Sequence, residues 1–213
     1  MTGAFAWLHE GILVPEGGVR PHHAVFGVVD AATLIARLRP EEEKLANQWV
    51  PPEQYVKTLP MHAAYACLFF TDTEGRPLQL HSSLAQHSGR WQWPGGNTDA
   101  EGESPFETAV RECREETGIV FTGRPRMLAV FWHSPGQWPV AKIGFAFDGG
   151  RLTAEDIARI TLDPDEHDGF AVRSMAEWAE TLDKRTWERL VAVNDARRQR
   201  TVAYLEVRPD GVR

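Results

Sequence analysis

The residues best suited to chemistry are the run Arg111-Glu112-Cys113-Arg114-Glu115-Glu116-Thr117-Gly118-Ile119, which follows a Gly95-Gly96 pair. On a helix, at roughly 100° per residue, Glu112, Glu115 and Glu116 fall on one side. Glu112 and Glu116 form an i,i+4 pair, a spacing at which like charges repel. A divalent cation reverses that penalty, because hard ions take carboxylate oxygens and water as ligands. Mg²⁺ is the expected ion, with Mn²⁺ as the alternative. The competing reading is a solvated acidic helix face. Against it stand the Gly-Gly turn just before the helix, the arginine inside the acid cluster and the glycine at a set distance after it.

The elements that must hold these carboxylates are legible around them. Ser104 is a good N-cap, Pro105 suits the first helical position, and Glu107 completes a capping-box spacing. Gly118 is placed to close the helix. Phe106, Ala109, Val110, Cys113 and Thr117 form a stripe that is expected to face a core.

The segment resembles the Nudix box, Gly-x5-Glu-x7-Arg-Glu-U-x-Glu-Glu-x-Gly-U with U apolar. Glu103, Arg111, Glu112, Glu115, Glu116, Gly118 and Ile119 match, and Cys113 fills an apolar position. One departure is visible: Gly96 and Glu103 are separated by six residues rather than five. The wider order of elements extends the resemblance to about residues 62–183. It implies an α/β/α sandwich with a mixed central sheet, the box forming a loop–helix–loop on it. It also implies hydrolysis of the diphosphate linkage of a nucleoside diphosphate derivative by water attack at phosphorus. In that scheme Glu112 and Glu116 are the main metal ligands, Glu115 is a ligand or general base, and the Gly96 carbonyl is a backbone ligand. Arg111 holds Glu103 and fixes the loop. Metal ions clamp the phosphates and acidify water.

Several members of that family take their general base from a later loop. Asp163-Pro164-Asp165-Glu166-His167-Asp168 is such a loop here, with Glu166 the first choice; a solvated acidic loop is the alternative. Trp132 and His133, in the aromatic turn from Phe131 to Trp138, are candidates to bind the substrate, and packing at a strand end is the alternative. Trp91 and Trp93 either flank the substrate or pack the sheet. His22, His23, His62, His81 and His87 have no metal-ligand spacing. Pro135, sixteen residues after Ile119, is a weak pointer to ADP-ribose chemistry. Arg197-Arg198-Gln199-Arg200 suits a helix C-terminus. Two other functions share this fold: a non-catalytic sensor of a nucleotide derivative, and a relative of isopentenyl-diphosphate isomerase. The isomerase needs an active-site cysteine among metal-binding histidines, and Cys67 lacks that histidine pattern.

The chain has 213 residues and a net charge of −7, which argues against sequence-independent binding to nucleic acid. Cys67 and Cys113 read as core thiols of a reducing compartment. No stretch has the length of a membrane span, and the N-terminus lacks a secretory pattern. A cytoplasmic address is expected, and a homodimer is compatible because many relatives are dimers. Residues 1–60 read as an extension packed on the main domain (61–213), a dimer element or lid on one reading and a structural cap on the other. In it, 11–14 reads as a short strand, 24–29 is a second apolar run, and 31–39 and 40–49 have helical composition. Pro52 to Leu59 suits a further turn of helix. In the main domain, strands are expected at 63–71, 77–82 (pairing back on the first through the 72–76 turn), 91–93, 126–132, 139–147 and 201–207. Helices are expected from Ser174 to Thr181 and over 186–199, the latter with Trp187, Leu190, Val191 and Asn194 on one side.

Overall fold

The computed structural model describes residues 49–84, 89–136, 138–208 and 211–212. The readings for 11–14, 24–29, 31–39 and most of 40–49 lie outside the described residues, as does the role of the extension. Helix α1 (Pro52–Tyr55) and a 3-10 turn (Val56–Thr58) stand where a further helical turn was expected.

Strand β1 (His62–Asp72) is buried along its last seven residues. Such a run is apolar on both faces, the pattern of a strand covered by layers on either side. Cys67 and Phe69 enter one cluster with Trp93, Phe131, Trp178, Leu190 and Val193. Ala66, Leu68 and Phe70 enter another with Ala109 and Cys113. Strands β4 (Gly95–Asn97), β5 (Met127–His133), β6 (Ala141–Leu152), β8 (Ala203–Arg208) and β9 (Gly211–Val212) complete a six-stranded sheet of order β4-β1-β6-β5-β8-β9. It is mixed: β1 runs parallel to β6 and antiparallel to β4, and β5 runs antiparallel to β6 and parallel to β8.

Strand β2 (Leu78–Ser82) departs from expectation. It meets β1 only at a bridge between Thr71 and Pro77, because β4 and β6 occupy both edges of β1. Instead β2 joins β3 (Trp91–Gln92) and β7 (His167–Val172) in a second, three-stranded sheet. Asp72 still makes the turn, its Oδ1 accepting from the backbone of Glu74 and Arg76 at 3.0 and 2.8 Å.

Helix α2 (Pro105–Thr117) carries the motif and packs on β1 and β4. Its capping box is complete, and Gly118 closes it in the left-handed region at φ 73°. Helices α3 (Ala154–Ala158), α4 (Met175–Thr181) and α5 (Lys184–Gln199) follow. Strand β7 and helix α3 were not anticipated, and β6 runs five residues beyond its expected end. The buried residues of α5 are Leu190, Val193, Asn194 and Ala196, so Trp187 and Val191 flank its inner face rather than centre it. Helix α5 lies against β5 and β8. The order α2, sheet, α5 is the expected α/β/α sandwich.

Candidate active site

The C-terminal end of α2 is buried, which changes the reading of its carboxylates. Glu116 is only 2% exposed. The Gly95 N–H donates to Glu116 Oε2 at 2.7 Å across the start of β4. The segment after α3 is tied to the same helix end: Thr161 N–H donates to Thr117 O at 3.0 Å and Asp163 N–H to Glu116 O at 3.2 Å. The turn beyond is closed by His167 N–H donating to Asp163 O at 2.9 Å. Glu166 and His167 are thereby carried to Glu116, and ligand atoms of the three lie within 4.8 Å of one another.

Burial, opposed by the Gly95 hydrogen bond and reinforced by Glu112, Glu166 and Glu115, pushes the Glu116 carboxyl up to about 9. Burial also raises Glu112, opposed by Arg111. Glu166 is raised by burial and then by Asp163, Glu115 and Asp165. These acids raise one another in a desolvated place, which is costly unless a cation shares it. His167 is buried, and its Nε2 lies 3.7 Å from Glu116 Oε1 and 3.1 Å from the Gln92 amide nitrogen. Its Nδ1 has no partner among the described residues.

Arg111 organises the loop side. Its Nε and Nη2 donate to Glu103 at 2.8 and 3.1 Å, a two-pronged contact. Its Nη1 donates to Glu112 and Glu115, each at 2.9 Å, and its Nη2 reaches Asp99 at 3.1 Å and the Asn97 carbonyl at 3.3 Å. The loop leading into α2 closes in a turn in which Glu103 N–H donates to Ala100 O at 3.2 Å. Gly96 pairs with Ala66 and lines the cleft.

Two candidates are not brought to this place. The Glu115 side chain is 56% exposed, is engaged by Arg111, and does not line the cleft. It falls on the outer edge because α2 turns Glu112 and Glu116 inward. Trp132 packs against His62 in a tilted arrangement, ring centres 5.2 Å apart, and also does not line the cleft, since side chains along β5 alternate and His133 takes the inner face. His133 Nε2 hydrogen-bonds the Tyr65 hydroxyl at 2.8 Å. Trp93 lines the cleft, whereas Trp91 packs on Trp178 at 5.0 Å. His81 pairs with Asp168 at 2.5 Å; His22, His23 and His87 lie outside the described residues.

Together these residues border a cleft of about 920 Å³. Its far wall, which carries Arg185 and Arg189 of α5 with Lys142 and Arg90, escaped the sequence reading. The signal was present as an i,i+4 arginine pair at the start of α5. Cys67 and Cys113 are free and buried. Burial pushes both thiols up to about 12, so neither is a reactive thiolate.

A family model described as the NUDIX domain matches residues 60–192. The MutT protein from Methanosarcina mazei Go1 is similar in structure, with a TM-score of 0.52 and 23% identity over 66% of this chain and 96% of that one. The NUDIX domain of Shewanella oneidensis NrtR complexed with ADP ribose has a TM-score of 0.51 and 19% identity over 76% and 99%. A bifunctional NMN adenylyltransferase/ADP ribose pyrophosphatase from Francisella tularensis, complexed with AMP and a Mn ion, has a TM-score of 0.52 and 14% identity over 68% and 45%. At these identities the likeness is one of fold. No curated protein matches the chain in sequence. No helix among the described residues is long and apolar enough to cross a membrane.

Proposed function

This chain belongs to the Nudix hydrolase family, and on that premise we propose that it cleaves the diphosphate linkage of a nucleoside diphosphate derivative by water attack at phosphorus. The observation that carries this reading is the convergence of Glu112, Glu116 and Glu166 on one cleft, with Glu116 buried and its carboxyl pushed up to about 9. Such a donor set fits a hard divalent ion. Oxygen ligands dominate it, Glu116 and Glu166 have no lysine or arginine partner among the described residues, and buried His167, whose Nδ1 has no partner, brings its Nε2 to 3.7 Å from Glu116 Oε1. Glu112 and Glu116 would hold the ion, with Glu166 and the Gly96 carbonyl beside them and Mg²⁺ as the first choice. When bound, it supplies positive charge against the phosphate oxygens and acidifies water.

The remaining work belongs to the chain. The Gly95 hydrogen bond fixes one Glu116 oxygen and leaves Oε1 for the ion. Arg111 holds Glu112 and ties the Asn97–Glu103 loop to α2, which keeps the carboxylates in register. Glu166, half-buried and raised in pKa, is suited to accept the proton of the attacking water. Trp93 and His133 line the cleft where the rest of the substrate would lie.

A panel of nucleoside triphosphates, dinucleotides, nucleotide sugars and ADP-ribose, assayed with Mg²⁺ and with Mn²⁺, tests this. ADP-ribose heads it because two of the neighbouring structures name it. The expected result is a nucleoside monophosphate product from at least one member, abolished in Glu116→Gln. Activity that survives Glu116→Gln would overturn the metal assignment. Tight binding of a panel member without turnover would make the protein a sensor instead.

A further inference from the structure

The acidic wall accounts for only half of the cleft. Opposite it, Arg185 and Arg189 project from successive turns of α5, and Lys142 and Arg90 line the same space. None of these four makes an ion pair with a carboxylate among the described residues. The nearby acids leave them free to bind: Asp183 lines the same cleft and acts on Arg185 and Arg90 at longer range, but its carboxylate is taken up in a helix cap. Asp183 caps α5, accepting from Arg185 N–H and Thr186 N–H at 3.0 and 3.1 Å, and Glu188 pairs with Lys184 at 3.6 Å.

Arg189 is built in rather than draped over the surface. Its guanidinium lies 4.6 Å from the Phe131 ring centre and 5.3 Å from that of Trp93. Its Nη2 donates to the Tyr65 hydroxyl at 3.2 Å, while its buried Nε has no acceptor among the described residues. Lys142 is held over Tyr65 at 4.9 Å and Trp138 at 4.5 Å.

The neighbouring groups register the field. Burial, then Arg189, Arg185 and Lys142, push the His133 ring down to about 3. Burial and Arg189 depress Lys142, and burial, Arg189 and Arg90 depress Arg185. Cys67, on the β1 floor, lines the same cleft as Arg189 and Glu116 and feels both, Arg189 lowering its thiol and Glu116 raising it.

We propose that the Arg185–Arg189–Lys142 wall is a subsite for a phosphate monoester that the substrate carries in addition to its scissile diphosphate. This rests on the hydrolase reading above, in which the diphosphate lies at the carboxylates. Several cations around one pocket match a dianion better than a single carboxylate, and arginine forks match phosphate oxygens in pairs. The substrate class is therefore a phosphorylated nucleoside diphosphate derivative.

The experiment has two arms, both on the full chain. In the first, inorganic phosphate is titrated calorimetrically in EDTA into wild type, Arg185→Ala, Arg189→Gln and Glu112→Gln. Arg185→Ala should weaken binding by about tenfold or more, the order expected from losing a charge-assisted hydrogen bond, while Glu112→Gln should not weaken it. Arg185 is exposed, so its variant reports even where Arg189→Gln fails to fold. In the second arm, ADP-ribose is compared with its adenosine 2′-phosphate and 3′-phosphate forms under Mg²⁺. A phosphorylated form should show the lower KM in wild type, and Arg185→Ala should erase the difference. Phosphate affinity unchanged in Arg185→Ala, or equal KM for all three substrates in wild type, overturns the subsite. Equal losses on all three in Arg185→Ala also overturn it and assign the wall to the scissile diphosphate. Arg185-dependent phosphate binding with no hydrolysis of any substrate sustains the subsite and removes the hydrolase reading instead.

Discussion

Gly96 and Glu112 are built around each other. A β-carbon on Gly96 would lie 2.3 Å from the Glu112 carboxyl carbon and 2.4 and 2.5 Å from its oxygens. A β-carbon there forces the Glu112 carboxylate to move, so the glycine lets that carboxylate rest against the β4 backbone. Gly96→Ala is expected to push the Glu112 carboxylate out of place. A displacement of about 1 Å can cost about 10²-fold in rate, so kcat should fall by that order while circular dichroism stays native. Full activity in this variant would show that Glu112 need not sit there.

The exposure of Glu115 and the inward position of Glu166 separate two residues that composition treats alike. Glu166→Gln should lower kcat by about 10²–10⁴-fold, the range for loss of a positioned general base. Glu115→Gln should cost far less, since Glu115 stands outside the cleft and is held by Arg111. Steady-state kinetics on the two variants decide the matter, and the reverse order would move the base back to α2.

Arg111 contacts Glu103, Glu112, Glu115 and Asp99 at once. Arg111→Ala leaves those acids without their shared cation, so Tm should drop and kcat should fall with it. Arg111→Lys should recover little of either, because an ammonium cannot reproduce the two-pronged contact with Glu103. A lysine variant with wild-type Tm and kcat would reduce Arg111 to a general surface charge.

His133 predicts a pH dependence of stability. Its folded pKa of about 3 lies well below the ordinary histidine value of 6.5, because of burial and of Arg189, Arg185 and Lys142. The unfolded chain therefore takes up a proton near pH 6.5 that the folded chain refuses. The sign follows: stability is full above about 6.5 and declines as pH falls from there toward 3. His133→Gln should flatten that part of the Tm-against-pH curve, and the wild-type ring should remain neutral by NMR at pH 5. A ring that titrates near 6.5 would contradict this.

Much of the acidic helix was legible in the residues alone. Capping by Ser104 and Glu107, closure by Gly118 and the inward stripe of Ala109 and Cys113 depend on spacings within a few residues, and local hydrogen bonds enforce them. The family motif added the pairing of Arg111 with Glu103 for the same reason, since both partners sit on one helix and its entry loop. Other features were out of reach. Whether Glu116 faces water or the interior is decided by what covers the end of α2, and that cover comes from Gly95 on one side and Thr161–Asp163 on the other. The face of β5 that meets the cleft, and so the choice of His133 over Trp132, depends on the register of β5 with β6 and β8.

By itself, then, the sequence determined a capped helix with its acids on one side, because those follow from residue type and short-range period, and the family motif it carries, from which the hydrolase reading comes. Only the tertiary structure decided which carboxylates converge and what faces them. Backbone hydrogen bonds between distant segments bring Glu166 and His167 to Glu116. The packing of α5 on the sheet sets Arg185 and Arg189 in the cleft; their i,i+4 spacing puts them on one helix face but does not say what that face meets.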